Sequence, residues 1–391
     1  MDALGGARRR WRRSVLVVVR TMWILVSIVM MVAAGVAWAT YQDLDTGVRR
    51  SKAIPPDAAR SVGAMNLLVM GLTTRLDLNG DPLPDDILAQ LQAGESDRGG
   101  YNANTLMLLH IPNDGSQATA LSVPRDNFVD LHGVPGAPVK GKIKEAYGRA
   151  KIAEETRLRA AGLQDLHELE YRGREAGRRA QIETVSTFLD VPIDHMAEVS
   201  LAGFYYLARA LGGIEVCVNN ATRDPMSGSD LVAGRQTLNA SQALAFVRQR
   251  HGLKNGDLDR TRRQQAFIAA VTYKLRGQGA ATDPKILSGL MDVAKQNVVL
   301  DEGMDLFDFA LRASSLTGGR MTYLTLPIED TQTVDGESIN IVDVTKVRKQ
   351  VGAMIGPNLA KPSSPPPTTA TTTAPTTTSA PPPPAAIPCV D

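Results

Sequence analysis

Apolar positions along this chain change period several times. From 15 to 39 they are nearly continuous, broken only by Arg20. The unbroken part, 21–39, holds about 19 residues, which at 1.5 Å rise per residue approaches the ~30 Å hydrocarbon core of a bilayer. Further on, short apolar runs bounded by turn residues predict strands at 65–70, 105–111, 118–123, 197–200, 214–218 and 321–326. Pro112-Asn113-Asp114-Gly115 predicts a hairpin between the second and third of these. Helical spacing covers about 144–189, with a break near Gly162, and then 202–211, 240–248, 259–276, 283–296, 303–315 and 342–354. Gly212-Gly213 is a stop signal for the helix before it. Strands alternate with helices, and the hairpin excludes a purely parallel sheet. The expected class is α/β, a single domain with a mixed central sheet flanked by helices.

The ends of the chain read differently. Arg8, Arg9, Arg10, Arg12 and Arg13 precede the long apolar run and place the N-terminus on the cytoplasmic side. Arg20 can snorkel to that interface, and Trp23, Trp38 and Tyr41 suit interfacial belts. The alternative is a cleaved signal peptide, because Ala37-Trp38-Ala39 fits a small-x-small cleavage site. The apolar run is longer than the ~7–15 residues of a signal h-region, which favours an uncleaved anchor. The resulting division is an arginine-rich cytoplasmic N-terminus (1–14), a transmembrane anchor (15–40), a polar stalk (41–63), an external domain (64–360) and a Pro/Thr-rich tail (361–391). The protein is thus expected in the cell membrane as a single-pass chain. The tail composition cannot bury a core and predicts an extended, mobile segment.

Charge adds little in bulk. Lys and Arg total 43 against 41 Asp and Glu, so no net field argues for nucleic acid. Local clustering matters more. Residues 246–265 carry Arg248, Arg250, Arg260, Arg262 and Arg263. Arg248 and Arg250 are two apart and point one way if extended; Arg260, Arg263 and Gln264 share the i, i+3, i+4 spacing of one helical face. Converging guanidinium groups suit bidentate phosphate binding, whereas a solvated charged helix is the plainer reading. Ser122-Val123-Pro124-Arg125-Asp126 closes a strand, where ligands gather in α/β folds. Lys140 to Tyr147 opens a helix, where exposed amides favour an anion. The two cysteines, Cys217 and Cys389, both fall in the external part; a bridge would tie the tail to the domain, and two free thiols are the alternative.

Taken in order, the motifs GxxxR (Gly71 to Arg75), Asn104-Thr105, Pro-Arg-Asp at 124–126, KIxxAY, GFxxLxxxLGGI, LNxxQALAFVRxR and GDxxRxxRQQ resemble the LytR-CpsA-Psr family over about 64–276. The resemblance implies an anchored cell-envelope phosphotransferase, moving a glycan phosphate from a polyprenyl pyrophosphate carrier onto peptidoglycan. Pyrophosphatase activity would be the same chemistry with water as acceptor. The insertion at 76–101 and the Pro/Thr tail are similar to actinobacterial members, which implies arabinogalactan or a related wall polymer. The implied partners are the lipid-linked glycan, the peptidoglycan acceptor and the membrane, with no nucleic acid.

Carried over by motif, Arg125, Arg248, Arg250, Arg260 and Arg263 would bind the pyrophosphate and stabilise transition-state charge. Asp126 would act with Arg125, Arg248 and Arg250 in catalysis, either by orienting Arg125 or as a base. Arg75, Lys142 and Gln264 match further pocket positions. A prenyl tunnel would draw on Phe188, Leu189, Phe204, Leu207, Leu211 and Phe246, each of which reads equally as ordinary core. The family also implies a divalent metal, Mg²⁺ or Mn²⁺, held by two aspartates. Here those positions are Thr73 and Asn104. Three readings follow: the neutral residues still serve with the substrate phosphates, Asp77 substitutes, or the chain is a lipid-glycan binding paralogue without transferase activity.

Overall fold

A computed structural model describes residues 30–31, 35, 38–92, 100–136, 139–276, 283–317, 321–334, 336–355 and 387–391. Two compact units result, residues 1–48 and 49–391. In the first, residues 38–47 are helical, and the Trp38 and Tyr41 rings lie 5.8 Å apart. The expected cytoplasmic segment and most of the expected anchor lie outside the described residues. Among the described residues, no helix is long and apolar enough to cross a membrane.

The second unit begins with β1 (Arg49–Ser51), β2 (Ala64–Leu72), α1 (Asp85–Leu91), β3 (Ala103–Pro112), β4 (Ala118–Ser122), β5 (Phe128–Leu131) and β6 (Val139–Lys142). Two long helices, α2 (Glu145–Ala160) and α3 (Leu166–Leu189), lead to β7 (His195–Val199), α4 (Leu201–Ala210), β8 (Ile214–Val218), β9 (Thr222–Asp224), β10 (Ser229–Leu231) and β11 (Gly234–Leu238). Then come α5 (Ala240–Arg248), α6 (Asp257–Arg276), α7 (Pro284–Asn297), β12 (Val298–Asp301), α8 (Leu306–Thr317), β13 (Met321–Thr325), β14 (Asp330–Val334), β15 (Glu337–Ile341), α9 (Val344–Ile355) and β16 (Cys389–Val390).

Seven strands form the central sheet in the order β1-β12-β7-β2-β3-β4-β13. Parallel and antiparallel pairs alternate irregularly: β2 runs antiparallel to β3 and parallel to β7, and β4 runs parallel to β13. The expected mixed α/β sheet is therefore present. Leu68, Met70 and Leu72 alternate along β2 and enter one core with Tyr147, Val185 and Phe188 of α2 and α3. A second core gathers α1, α4, α5 and α6 around Leu201, Phe246 and Phe267. Local signals explain the helix ends that carry the site. Asn239 and Gln242 form a reciprocal capping box at the start of α5, and Ser200 caps α4 by accepting from the Gly203 amide.

Several elements depart from the expected division. Arg49–Ser51, expected as stalk, is the sheet edge: it pairs with β12, and Arg50 Nη1 donates to the Met304 carbonyl at 2.8 Å. The polar insertion contains α1, whose Ile87, Leu88 and Leu91 enter the second core. The last five residues of the tail are also ordered. Ile387 is buried, β16 pairs with β8, and Cys389 is bonded to Cys217 across 172 residues of sequence. The preceding tail lies outside the described residues. Protein unfolded without reductant should thus titrate no thiols, and two after reduction. Thiol reactivity before reduction would contradict the bridge.

Candidate functional site

Beside the C-terminal end of β2 lies a cavity of about 280 Å³. Gly71, Leu72, Thr73, Arg75, Asn104, Thr105, Arg125, Leu201, Phe204, Leu244, Val247, Arg248, Arg250, Arg260 and Gln264 line it. Gly71 sits where the β2–β3 register shifts. A Cβ there would stand 2.9 Å from that of Thr105, so only glycine lets the two strands approach this closely at the cavity floor. The walls come from the β4–β5 connection, the end of α5 and the first turns of α6.

Five of the six arginines expected at the phosphate site line this one cavity: Arg75, Arg125, Arg248, Arg250 and Arg260. The carboxylate of Asp257 faces three of them. Its Oδ1 lies 3.1 Å from Arg125 Nε, 2.9 Å from Arg260 Nη2 and 3.8 Å from Arg250 Nε. Asp257 Oδ2 is buried with no hydrogen bond among the described residues. Sequence reading missed Asp257 as a site residue, although it is the acid of the GDxxRxxRQQ motif and stands three residues before Arg260. Burial, reinforced by Arg125, lowers the Arg260 guanidinium to about 10, and Asp257 only partly offsets this. Burial and then Arg75 also lower Arg248. Arg248 donates to the carbonyl of Leu91 at the end of α1, which ties its guanidinium to that helix. Cations crowded together and stripped of water favour an anion between them.

The remaining expected residues are placed differently. Gln264 lines the cavity, but Arg263 does not. It lies about 100° round the helix from Gln264, at 3.6 residues per turn. Arg263 is fully buried beneath the α5–α6 connection, where it donates to Gln249 Oε1 and to the Asp391 carbonyl, each at 2.7 Å. Burial lowers it to about 10. Its contact with Gln249, the residue between Arg248 and Arg250, makes it a support for that pair. Lys142 pairs with Glu337 of β15 and is not part of the lining. Asp126 is likewise behind the cavity: Lys144 Nζ lies 2.6 Å from Oδ1, and Arg125 Nε 3.5 Å from Oδ2. Burial would raise the Asp126 carboxyl, but Arg125 and Lys144 outweigh it and hold it below the usual range. A carboxylate so held orients Arg125 and is a poor proton acceptor. Of the expected tunnel residues, only Phe204 lines the cavity; Phe188 and Leu189 belong to the core beneath the sheet.

The two expected metal positions are bonded to each other and to an arginine. Asn104 Nδ2 donates to Thr73 Oγ1 at 2.6 Å, and Arg125 Nη1 donates to Asn104 Oδ1. Asp77 is absent from the cavity lining. Its carboxylate closes a turn by accepting from the amides of Asn79 and Asp81 at 2.7 and 2.9 Å. Among the described residues, no group of three His, Cys, Asp or Glu is arranged to hold a metal. A set of neutral side chains bonded to each other and to a guanidinium does not fit Mg²⁺, which calls for anionic oxygens.

A mixed sheet with an arginine-lined cavity at the end of β2 is an arrangement chemically suited to an anionic ligand. The LytR_cpsA_psr family model matches residues 29–355, and the chain belongs to that family. It is 41% identical over 295 residues to the cell wall biosynthesis protein LcpA of Corynebacterium glutamicum, covering 74% of this chain and 55% of LcpA. It is 27% identical over 234 residues to the polyisoprenyl-teichoic acid–peptidoglycan teichoic acid transferase TagU of Enterococcus faecalis, covering 59% of this chain and 66% of TagU. The chain thus spans little more than half the length of LcpA. In structure it is similar to protein gbs0355 of Streptococcus agalactiae, with a TM-score of 0.53 and 21% identity over 75% of this chain and 88% of that one.

Proposed function

We propose that this chain is a cell-wall glycopolymer transferase. It would take a glycan from a polyprenyl diphosphate carrier and join it through phosphate to peptidoglycan. One observation carries this reading: five guanidinium groups converge on one cavity, with the carboxylates of Asp257 and Asp126 behind them. In the proposed reaction an acceptor hydroxyl oxygen attacks the sugar-proximal phosphorus. The new O–P bond forms, the bridging P–O bond of the diphosphate breaks, polyprenyl phosphate leaves, and the hydroxyl proton passes to solvent. Arg125, Arg248, Arg250 and Arg260 would carry the charge that builds on the phosphoryl oxygens and the leaving group. Among the described residues lining the cavity none is a carboxylate, histidine or lysine. That suits phosphoryl transfer, in which positioning and electrostatics do most of the catalysis. Leu201, Phe204, Leu244 and Val247 offer the first prenyl units an apolar wall.

The membrane location follows from the same reading. The apolar N-terminal run would hold the domain where a lipid-linked substrate is presented. The name of LcpA supports a role in cell wall biosynthesis, and the actinobacterial resemblance points to arabinogalactan or a related wall polymer as the glycan. A second reading, a lipid-glycan binding paralogue, is favoured by Thr73 and Asn104 in place of carboxylates. The deciding assay incubates the full chain in detergent with a polyprenyl diphosphate-linked oligosaccharide and peptidoglycan fragments. Glycan attached through phosphate, with release of polyprenyl phosphate, is the expected result. Tight binding of the lipid with no product under any metal would favour the second reading.

A further inference from the structure

We infer that in this chain a guanidinium occupies the role of the divalent cation: Arg125, held by Asn104 and Asp257, lets the cavity bind a diphosphate without metal. The inference rests on the diphosphate reading above and adds how that diphosphate is neutralised.

Three observations carry it. First, the two positions where the family pattern calls for carboxylates are spent on a hydrogen-bonded chain. Arg125 Nη1 donates to Asn104 Oδ1, and Asn104 Nδ2 donates to Thr73 Oγ1 at 2.6 Å. Mg²⁺ demands octahedral oxygen ligands at about 2.0–2.1 Å, usually with one or two carboxylates. An ion on Asn104 Oδ1 would have to displace Arg125 or sit against its positive charge. Second, the two nearby carboxylates are already engaged: Asp126 pairs with Lys144 and Arg125, and Asp257 is shared among arginines. Asp257 Oδ1 faces Arg125, Arg260 and Arg250 at 3.1, 2.9 and 3.8 Å. Third, five arginines line a cavity of about 280 Å³ whose lining holds no acid, with only Asp257 and Asp126 close behind them among the described residues. A diphosphate diester carries about two negative charges, fewer than the excess of cations here, so a further cation adds repulsion and no neutralisation. The lowering of Arg260 and Arg248 by burial and neighbouring guanidinium groups has the same sense.

The test uses the full chain in detergent and geranylgeranyl diphosphate as the probe, titrated calorimetrically in EDTA and in excess Mg²⁺ or Mn²⁺. The expected result is a Kd in EDTA within about twofold of that with metal, since the guanidinium groups already supply the charge. The double variant Thr73→Asp with Asn104→Asp should reverse this. Its affinity in EDTA should fall at least about tenfold, because carboxylates then face the diphosphate, and Mg²⁺ should restore it. Parent protein that binds about tenfold or more weakly in EDTA than in Mg²⁺ would overturn the inference while leaving the diphosphate site intact. Parent protein that binds in neither condition would overturn the diphosphate reading itself. The comparison on the parent chain decides the matter even if the double variant does not fold.

Discussion

Arg250→Ala should lower glycan transfer by about 10²–10³-fold, the cost of removing one preorganised donor from a developing oxyanion. Its stability should stay within about 0.5 kcal/mol of the parent, as for other surface substitutions. The separation of the two effects comes from geometry. The Arg250 side chain is 49% exposed, and its contact with Asp257 is long, at 3.8 Å, so the folded state depends on it little. The neighbouring Arg260 is buried against the same carboxylate at 2.9 Å, and its removal would mix lost catalysis with lost packing. Arg250→Lys should recover only part of the rate, because an ammonium keeps the charge but not the planar fork. The assay is transfer from the polyprenyl diphosphate-linked oligosaccharide, with thermal unfolding measured in parallel. A parent-like rate for Arg250→Ala would remove this cavity from the reaction.

The largest effect on stability should come from Glu198→Ala. Glu198 lies on β7, fully buried between the sheet and α2–α3. Arg178 Nε donates to its Oε2 at 2.8 Å and Nη2 to its Oε1 at 3.0 Å; Tyr147 Oη donates to Oε2 at 2.9 Å. Arg174 Nη1 is 3.8 Å away. Removing the acid leaves two buried guanidinium groups short of charge, at a cost of about 3–5 kcal/mol. The helices cannot close over the gap: a Cβ on Gly177 of α3 would stand 2.6 Å from the Tyr147 ring, so the two are already at contact distance. Chemical denaturation checks the figure, and a loss under about 1 kcal/mol would contradict it.

The same group predicts an acid limit. Burial would raise the Glu198 carboxyl, but Arg178 and Arg174 outweigh it and hold it below its usual 4.5. A carboxyl depressed in the folded state contributes stability that is complete above its unfolded value. That contribution is lost as the pH falls through the folded one. The parent should therefore lose stability below about pH 4.5, more steeply than Glu198→Ala does.

Much of this was legible in the chain. Five of the seven strands of the central sheet, and the helices carrying the arginines, follow from apolar period and end signals, with boundaries shifted by a residue or two; Val298–Asp301 does not, because it follows the helix ending at Asn297 with no turn residue between them. What could not be read were features set by pairing between distant segments. Arg49–Ser51 looks like stalk, because nothing local says that Val299 to Asp301 will pair with it. The insertion hides α1, whose apolar face is legible only once the second core exists to receive it. At the site, spacing alone admitted Arg260, Arg263 and Gln264 to one face. The helix turns Arg263 inward to Gln249 and Asp391, a choice made by the Cys389 strand, more than 120 residues away. Asp257 is hidden in the sequence for the opposite reason. An acid amid arginines reads as compensation, yet its position between Arg125 and Arg260 is what aims them.

On the proposed function, this arginine cavity holds the diphosphate of a lipid-linked glycan. A structure of the full chain with bound geranylgeranyl diphosphate tests it most directly. Both phosphates should lie among Arg125, Arg248, Arg250 and Arg260, with Asn104 still bonded to Arg125 and the prenyl chain leaving past Phe204. Phosphates bound away from these four residues would contradict it.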